Sequence, residues 1–217
     1  MILERNRLYL RQLELGPMQN FVYLIGDADS REAAIVDPGW EVSKILAAAE
    51  QDGVRLTKVF VTHHHFDHTG GLGELLKAAD LPVYVHRDDA PMVHVAPSSL
   101  LAVAGGETVE VGRVPVALIH TPGHTPGSQC LMVDGRLLTG DTLFIKACGR
   151  WDLPGGDPSK LYESLNVKLK ALDEATVVLP GHNYAERPTS TIGDEKRENP
   201  FLQAPSREAF LRAIGQG

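Results

Sequence analysis

The sequence predicts an α/β or α+β fold, in which helices cover β-sheet. Short apolar or alternating runs typical of strands occur near both ends of the chain, with amphipathic helices between them. Gly and Pro residues separate these runs, as expected for turns. The 217 residues can bury a sizeable core, and no period of 20–50 residues repeats, so a single domain over residues 1–217 is expected.

The first third of the chain is predicted to consist mainly of short strands. Three runs are apolar or alternating and are separated by turn residues: Leu8–Leu15, Phe21–Ile25 and Ala33–Val36. A helix is expected over Glu41–Asp52, because its apolar residues recur at helical spacing and Gly53 follows as a typical helix end. Lys58–Thr62 is then a short buried strand that leads directly into a histidine cluster.

The remaining two thirds alternate between predicted helices and strands. Helices are expected in amphipathic segments: Gly71–Ala79, Ser159–Leu172 with Ser159 as its N-cap, and Arg207–Ile214. Strands are expected in short apolar runs: Val83–Val85, Val116–His120, Gln129–Val133, Arg136–Leu138 and Thr176–Leu179. Asp134-Gly135 between two of these runs is a strong hairpin signal. The segment Glu186–Asn199 is interpreted only as a polar tail.

Composition and charge restrict the classes of function. The chain carries 21 basic and 28 acidic side chains, a formal charge of −7, which argues against binding nucleic acid or anionic membrane through bulk charge. Only two cysteines occur, so no disulfide framework is implied. No apolar run approaches the ~20 residues that cross a bilayer, and residues 1–11 lack the apolar core of a signal peptide. A cytoplasmic, water-soluble protein is expected, without nucleic acid or membrane as a partner; the oligomeric state stays open.

Four of the nine histidines lie in one short segment directly after the predicted buried strand at residues 58–62. His63 and His65 are two residues apart, so in an extended segment they project to the same side, and His64 points away. Asp67 and His68 follow where the chain begins to turn, and they can face the same point from another direction. Such a cluster can hold one divalent ion with the first pair and a second ion with the last pair, an arrangement known from hydrolytic enzymes.

Further ligand-type residues occur at three later positions with the same local pattern. His124, Asp141 and His182 each follow a short apolar strand and lie next to a glycine, which lets the backbone turn sharply and approach a bound ion. A rigid sheet can bring such side chains together on the loops at its strand ends. Packing alone is a poor explanation for four positions of the same pattern, so the sequence predicts a metal centre. Nitrogen and oxygen ligands without thiolate suit Zn, Fe or Mn.

These residues resemble the ligand pattern of the metallo-β-lactamase superfamily, and most closely that of short glyoxalase II-like hydrolases (hydroxyacylglutathione hydrolases). The supporting phrases span most of the chain: THHHFDHTGG, HTPGHTPGS, GDTLF, CGRWDLPGGD and STIG-x-EK-x-x-NPF. The resemblance implies a four-layer αβ/βα sandwich, with two mixed β-sheets flanked by helices. The ligands it implies for two divalent ions are His63, His65 and His124 for the first, Asp67, His68 and His182 for the second, and Asp141 as the bridge. Zinc is the expected metal by resemblance, with iron or manganese compatible.

The resemblance further implies a hydrolase that acts on a small thioester of glutathione type, such as S-lactoylglutathione. A water between two divalent metals loses a proton near neutral pH and can attack a carbonyl, and Asp67 and Asp141 are assigned the catalytic role. A thiol leaves as thiolate with a pKa of ~8.5, so strong general-acid help is not essential. Arg150 and Tyr184 match positions near the thiol-bearing part of the substrate. Arg150 could bind a carboxylate, although a structural ion pair explains it equally well.

Other interpretations stay open. Only 217 − 182 = 35 residues follow His182, too few for the helical domain that supplies glutathione contacts in long glyoxalase II proteins. A persulfide dioxygenase with mononuclear iron is the main alternative, because it resembles this chain at His63, His124, Asp141 and the loop Cys148–Asp152. Such oxygenases keep most of the other ligand positions, so the motif alone does not separate the two. A lactonase, a weak β-lactamase and a non-catalytic metal-binding module also remain; an RNA-cleaving member is disfavoured. Three further histidines are interpreted as structural: His86, His94 and His120.

Overall fold

The computed structural model describes residues 7–214, so the signal-peptide expectation falls partly on residues outside the described ones. The strands, in chain order, are β1 Leu8–Leu15, β2 Asn20–Asp27, β3 Glu32–Val36, β4 Arg55–Phe60, β5 Val83–His86, β6 Leu100–Val103, β7 Thr108–Val111, β8 Val114–His120, β9 Gln129–Val133, β10 Arg136–Gly140, β11 Leu143–Phe144, β12 Ala147–Cys148, β13 Val177–Pro180 and β14 Ser190–Thr191. The α-helices are α1 Val42–Asp52, α2 Phe66–Thr69, α3 Leu72–Ala78, α4 Pro158–Glu163, α5 Ile192–Glu198 and α6 Arg207–Ala213. Within residues 7–214, no helix has the length and apolar character needed to cross a membrane.

Two mixed sheets form the centre of the fold. The first has the strand order β1-β2-β3-β4-β5-β6, with antiparallel pairing from β1 to β3 and parallel pairing from β3 to β6. The second has the order β14-β13-β10-β9-β8-β7, and it is antiparallel except for the parallel pair β10 and β13. A separate short hairpin pairs β11 with β12. The predicted pair of mixed sheets is confirmed.

The core consists of three clusters of buried apolar residues, one between the two sheets and one on the outer face of each sheet. On β2, Phe21, Tyr23 and Ile25 join the apolar cluster between the two sheets, whereas Val22 and Leu24 join the cluster that α1 and α3 cover on the outer face. Both faces of β2 are buried, which explains its continuous apolar run. On the other side, α4, α5 and α6 pack against the outer face of the second sheet. The four layers are therefore helices, sheet, sheet and helices, as predicted.

The predicted helix Ser159–Leu172 is wrong in two respects. The N-cap is Asp157, because its side chain accepts hydrogen bonds from the backbone N–H groups of Ser159 and Lys160, and Pro158 occupies the first helical position. The helix also changes its hydrogen-bonding pattern after Glu163: Ser164–Lys168 is a π-helix and Leu169–Ala171 a 3-10 turn. The apolar face is continuous across these changes, so its spacing alone does not reveal them.

The sequence did not predict β6, β7 or α5, nor the single turn α2 and the two-residue strands β11, β12 and β14. β6 and β7 have only four residues each, too few for a distinctive alternating pattern. α5 lies in the segment interpreted as a polar tail. It was not predicted because its inner face is partly polar: its buried residues are Ile192, Gly193 and Glu195. Thr191 caps it by accepting a hydrogen bond from the backbone of Asp194.

The two sheets are joined directly along one edge by backbone hydrogen bonds. The N–H of Phe21, at the start of β2, donates to the carbonyl of Gly181 after β13, at 2.8 Å. The N–H of Gln129, at the start of β9, donates to the carbonyl of Thr62 after β4, at 2.9 Å. These links lie beside the loops that carry the predicted metal ligands, so the position of one sheet relative to the other is fixed where the site is built.

Candidate metal centre

All seven predicted ligands lie on loops along this joined edge. The first sheet provides His63, His65, Asp67 and His68, which follow β4; the second provides His124 after β8, Asp141 after β10 and His182 after β13. The short helix α2 turns the chain, so that Asp67 and His68 approach from a different direction than His63. Most of these side chains are buried, whereas His65 and Asp141 are partly exposed and mark the open side of the site.

Backbone carbonyls orient the two histidines of the second sheet. Nδ1 of His124 lies 2.7 Å from the carbonyl oxygen of Arg150, and Nδ1 of His182 lies 2.8 Å from that of Met18. A carbonyl only accepts, so both Nδ1 atoms carry a proton and both Nε2 atoms face the ligand groups. This is the arrangement required of a metal-binding imidazole whose other nitrogen is held by the protein.

Asp37 orients two histidines of the first sheet in the same sense. Its Oδ2 atom lies 3.0 Å from Nδ1 of His68 and accepts a hydrogen bond from the Thr62 hydroxyl at 2.6 Å. Because that hydroxyl donates to Asp37, its oxygen can accept from Nδ1 of His63, at 3.1 Å. The Nε2 lone pairs of His63 and His68 are thereby directed into the site. Sequence reasoning missed Asp37, although Val36-Asp37-Pro38-Gly39 shows the same pattern of strand, ligand-type residue and glycine.

The first ligand group consists of His63, His65 and His124, whose ligand nitrogens all lie within 4.8 Å of one another. His65 turns Nδ1 toward Nε2 of His124, at 3.0 Å. His63 is buried, and its Nε2 atom has no hydrogen-bond partner among residues 7–214. A buried nitrogen left without a partner costs about 1–3 kcal/mol. Three imidazoles around one point form a ligand set that suits a divalent ion and satisfies this nitrogen.

The second group consists of Asp67, His68 and His182. Nε2 of His68 lies 3.2 Å from Nε2 of His182, and each lies 3.3 Å from Oδ2 of Asp67. Ligand atoms at about 2.0–2.1 Å from a tetrahedral ion are about 3.3 Å apart, so the observed spacing fits one ion. Asn20 fixes the carboxylate, because its Nδ2 donates to Oδ2 of Asp67 at 3.0 Å.

Asp141 reaches both groups. Its Oδ1 atom lies 3.3 Å from Nε2 of His68, while Oδ2 lies 3.4 Å from Nε2 of His182 and 3.5 Å from Nε2 of His124. Gly181 leaves the space for this carboxylate, since a Cβ atom at that position would lie 2.5 Å from Oδ1. A carboxylate between two sets of lone pairs is the arrangement expected of a residue shared by two ions.

The electrostatics of the cluster favour an added cation. Burial lowers the pKa of each histidine in the first group, so these imidazoles are neutral and available as ligands: His63, His65 and His124. Burial acts in the same direction on His182, but hydrogen bonds with Asp141 and Asp67 outweigh it and raise the pKa to about 9. The second group therefore attracts positive charge, which a divalent ion would supply. The nitrogen and oxygen donors fit zinc, iron and manganese alike.

Asp89 is a second residue that sequence reasoning missed. It is fully buried, and its carboxylate accepts hydrogen bonds from the backbone N–H of His64 at 2.9 Å, the hydroxyl of Thr125 at 2.8 Å and the backbone N–H of Gly127 at 2.6 Å. Nδ1 of His64 also lies 2.9 Å from Asp89, so this ring points away from the ligand groups, as predicted. Asp89 thus joins the loop of His63 and the loop after residue 124. These contacts span 25 to 38 residues and leave no local signal in the sequence.

The structure places the two predicted substrate residues at the surface. The Arg150 guanidinium binds the carboxylate of Asp152 through two contacts of 2.9 Å, while its backbone carbonyl holds His124. The Tyr184 ring stacks on His182 with centroids 4.6 Å apart, and 58% of the residue is exposed. Tyr184 is therefore next to the second ligand group, whereas the side chain of Arg150 is engaged in an ion pair.

The histidines interpreted as structural do not join the ligand groups. The rings of His86 and His120 stack in parallel with centroids 3.8 Å apart. Their Nε2 atoms lie 2.9 Å from the carbonyl oxygens of Ala104 and Pro126, respectively. Asp88 approaches the pair to form a small cluster, but ring planes stacked face to face cannot both direct an in-plane lone pair at one ion. This arrangement agrees with a structural role.

Two mixed sheets that share an edge lined by imidazole and carboxylate ligands define a metal-dependent enzyme of the hydrolase type. The chain belongs to the metallo-β-lactamase superfamily, whose family model matches residues 15–182. The match ends at His182, so it contains every predicted ligand. The predicted family resemblance is confirmed.

Individual proteins extend this relationship. A hydroxyacylglutathione hydrolase from Alkalilimnicola ehrlichii is 40% identical over 191 residues, which cover 88% of this chain and 72% of that protein. The crystal structure of ETHE1 from Myxococcus xanthus is similar with a TM-score of 0.86 at 35% identity, covering 95% of this chain and 90% of that one. The crystal structure of TTHA1623 in a di-iron-bound form has a TM-score of 0.77 at 34% identity, covering 88% of this chain and 100% of that one.

Proposed function

We propose that this protein hydrolyses a small thioester of glutathione type, represented by S-lactoylglutathione, with two divalent ions held by the seven ligands. One observation carries the proposal: the second ligand group is complete, with Asp67, His68 and His182 spaced for one ion and Asp141 reaching the first group as well. A mononuclear oxygenase does not need this second group. The similarity to a hydroxyacylglutathione hydrolase supports the same choice.

The residues of the site would direct the reaction. The seven ligands would hold two divalent ions, which would supply an activated water as nucleophile and a Lewis acid for the substrate carbonyl. Asp141 would be shared by the two ions, because its Oδ2 atom faces His182 of the second group and His124 of the first. Asp67 is held in one orientation by Asn20. The partly exposed side near His65 provides the approach for the substrate. A thiol group leaves as thiolate with a pKa of ~8.5, so the reaction needs no side chain to protonate it.

Tyr184 and Arg150 remain the proposed contacts for the thiol-bearing part of the substrate. Tyr184 lines a small pocket of about 50 Å³ together with Phe144 and His182, directly beside the second ligand group. Arg150 would have to exchange its contact with Asp152 for a substrate carboxylate, an exchange that is feasible because the pair is exposed. The proposed partner is thus a small molecule in the cytoplasm. Zinc is the first metal to test, and the di-iron form of TTHA1623 makes iron the second.

Two parallel assays test the proposal against the persulfide dioxygenase alternative. The first measures thiol release from S-lactoylglutathione under nitrogen by zinc-loaded protein. The second measures oxygen uptake with glutathione persulfide by iron-loaded protein. Thiol release without oxygen uptake, and close to two transition-metal ions per chain by elemental analysis, are the expected results. Oxygen uptake at enzyme-like rates with negligible thioester cleavage would refute the proposed reaction.

A further inference from the structure

The C-terminal part of the chain carries two buried polar residues that the metal site does not use. Glu195 and Asn199 lie in and directly after α5, within the EK-x-x-NPF phrase, and both are fully buried. The Glu195 carboxylate accepts three hydrogen bonds: from the backbone N–H of Lys146 at 2.8 Å, the Asn199 side chain at 2.9 Å and the Ser190 hydroxyl at 2.6 Å. Burying a carboxylate is costly unless such donors compensate it. The placement of this group therefore calls for an explanation.

Glu195 and Asn199 form hydrogen bonds with the turn of the β11–β12 hairpin. Nδ2 of Asn199, which donates to Glu195, also donates to the carbonyl of Ala147 at 2.9 Å and lies 3.2 Å from that of Phe144, while Glu195 accepts from the N–H of Lys146 between them. Lys146 adopts a left-handed backbone conformation with φ +58°. For a residue with a side chain this conformation is unfavourable by about 1–2 kcal/mol. The hydrogen bonds from α5 compensate for that cost and define one conformation of the turn.

The hairpin cannot define its own geometry. Each strand has two residues, and the pairing consists of Leu143 with Cys148 and Phe144 with Ala147. An isolated two-stranded hairpin is marginally stable even when it is longer. Its shape must therefore come from contacts outside it, and Glu195 and Asn199 provide these at the turn.

Both ends of the hairpin lead to metal ligands. Asp141 lies two residues before β11, and Gly149 directly follows β12. Gly149 is packed so closely that a Cβ atom there would lie 1.7 Å from the carbonyl oxygen of Asp141 and 3.3 Å from Cγ of His124. The next residue, Arg150, holds Nδ1 of His124 through its carbonyl, at 2.7 Å. A change in the turn is thus transmitted to the bridging carboxylate and to one imidazole of the first group.

We propose that Glu195 and Asn199 are positioning residues, which set the relative placement of Asp141 and His124 by fixing the β11–β12 turn. The effect of this positioning on turnover rests on the proposed function, whereas its effect on metal binding does not. If the two residues have a purely structural role, replacing them lowers the stability of the protein and leaves the metal affinity of the folded protein unchanged. If they are positioning residues, replacing them lowers the metal affinity itself.

The test compares Glu195→Ala and Asn199→Ala with Glu198→Ala as the matched control. Glu198 lies on the same helix and contacts the same hairpin residue, but through an exposed ion pair with the side chain of Lys146 at 2.8 Å. Zinc affinity is measured by chelator competition well below the unfolding temperature, and Co(II)-substituted protein reports ligand geometry by its visible absorption spectrum. We expect affinity to fall about 10–100-fold in the first two variants, as for loss of a group that orients a ligand, with a changed Co(II) spectrum. The control should keep both properties of the unmodified protein.

Hydrogen exchange provides a measurement that does not depend on a variant that folds. In the unmodified protein without metal, the Lys146 amide should exchange far more slowly than the amide of an open surface turn, and Glu195→Ala should abolish this protection because it removes the acceptor. The proposal is overturned if Lys146 exchanges freely in the unmodified protein, or if both variants bind zinc within twofold of the control with an unchanged Co(II) spectrum. A negative thioester assay would refute only the proposed function, because none of these measurements uses a substrate.

Discussion

Replacing Asp89 with Asn should weaken metal binding without altering any ligand. Asp89 is buried between two loops, and its carboxylate binds the backbone of His64, which lies between two ligands of the first group, and the hydroxyl of Thr125, which follows a third. The Asp89→Asn variant keeps the shape of the side chain but presents an NH2 group where one oxygen had been. One of the buried donors therefore faces another donor.

The size of the effect follows from the number of contacts that change. If the new NH2 group takes the place of Oδ1, the backbone N–H of Gly127 loses its acceptor. If it takes the place of Oδ2, the backbone N–H of His64 and the hydroxyl of Thr125 lose theirs. The first orientation is less damaging, because it leaves one buried donor unpaired and costs about 1–3 kcal/mol. For a protein of this size, about 2 kcal/mol corresponds to a decrease in Tm of roughly 4–8 °C. Zinc affinity at the first group should fall about 10–100-fold, the usual result of losing a group that orients a ligand loop.

Isothermal titration and elemental analysis can check this expectation, with thermal unfolding of the metal-free protein as the measure of stability. Asp88→Asn is the control, since Asp88 is the exposed neighbour of Asp89. Only one of the two binding steps in the titration should weaken, namely the step that belongs to the first ligand group. Unchanged affinity for both ions, together with the expected loss of Tm, would refute the reasoning, because Asp89 would then stabilise the fold without orienting the ligands.

Three further predictions concern the bridge, the surface pair and a turn remote from the site. Asp141→Ala should reduce metal content below that of the unmodified protein in elemental analysis and lower thioester hydrolysis by about 100-fold or more, because the residue contacts both ligand groups; normal activity would contradict the assignment. Arg150→Ala should raise KM for a charged thioester in steady-state assays and leave metal content unchanged, because His124 is held by the backbone carbonyl and not by the guanidinium. Burial opposes ionisation of Asp27, but hydrogen bonds from the backbones of Arg113 and Asp29 and from the Arg113 side chain lower its pKa to about 2. The stabilisation by this carboxylate is therefore complete above its ordinary pKa of about 4 and is lost as the pH falls from about 4 to 2; thermal unfolding against pH should show this decrease, and Asp27→Asn should remove it.

The sequence pattern that predicts the ligands is local. Each ligand follows a short apolar run and lies near a turn residue, and this pattern identified His124 and Asp141 without knowledge of what lies beside them. The same pattern is present at Asp37, so the local sequence contains a signal for this residue as well. The choice of two facing sheets required the family resemblance, since strand and helix patterns alone did not distinguish α/β from α+β.

Other features could not be predicted because they depend on atoms that the residue type does not specify. Arg150 orients His124 through its carbonyl oxygen, a group that every residue has. Asp89 acts across contacts separated by up to 38 residues, and Glu195 lies in a segment whose polar character suggested exposure. The change from α-helix to π-helix after Glu163 leaves the apolar spacing intact, so periodicity does not reveal it.

The division of each ligand group between the two sheets has a consequence for the order in which the protein matures. The first group needs the loop at residue 124, whereas the second needs His182, which is 182 − 124 = 58 residues later in the chain. While the chain emerges from the ribosome, the first group can be complete when the last strands of the second sheet do not yet exist. Metal capture at the second group must wait until nearly the whole sandwich has been synthesised. An ion held there would bridge His68 and His182, 114 residues apart, and would therefore mark a chain whose two halves have already come together.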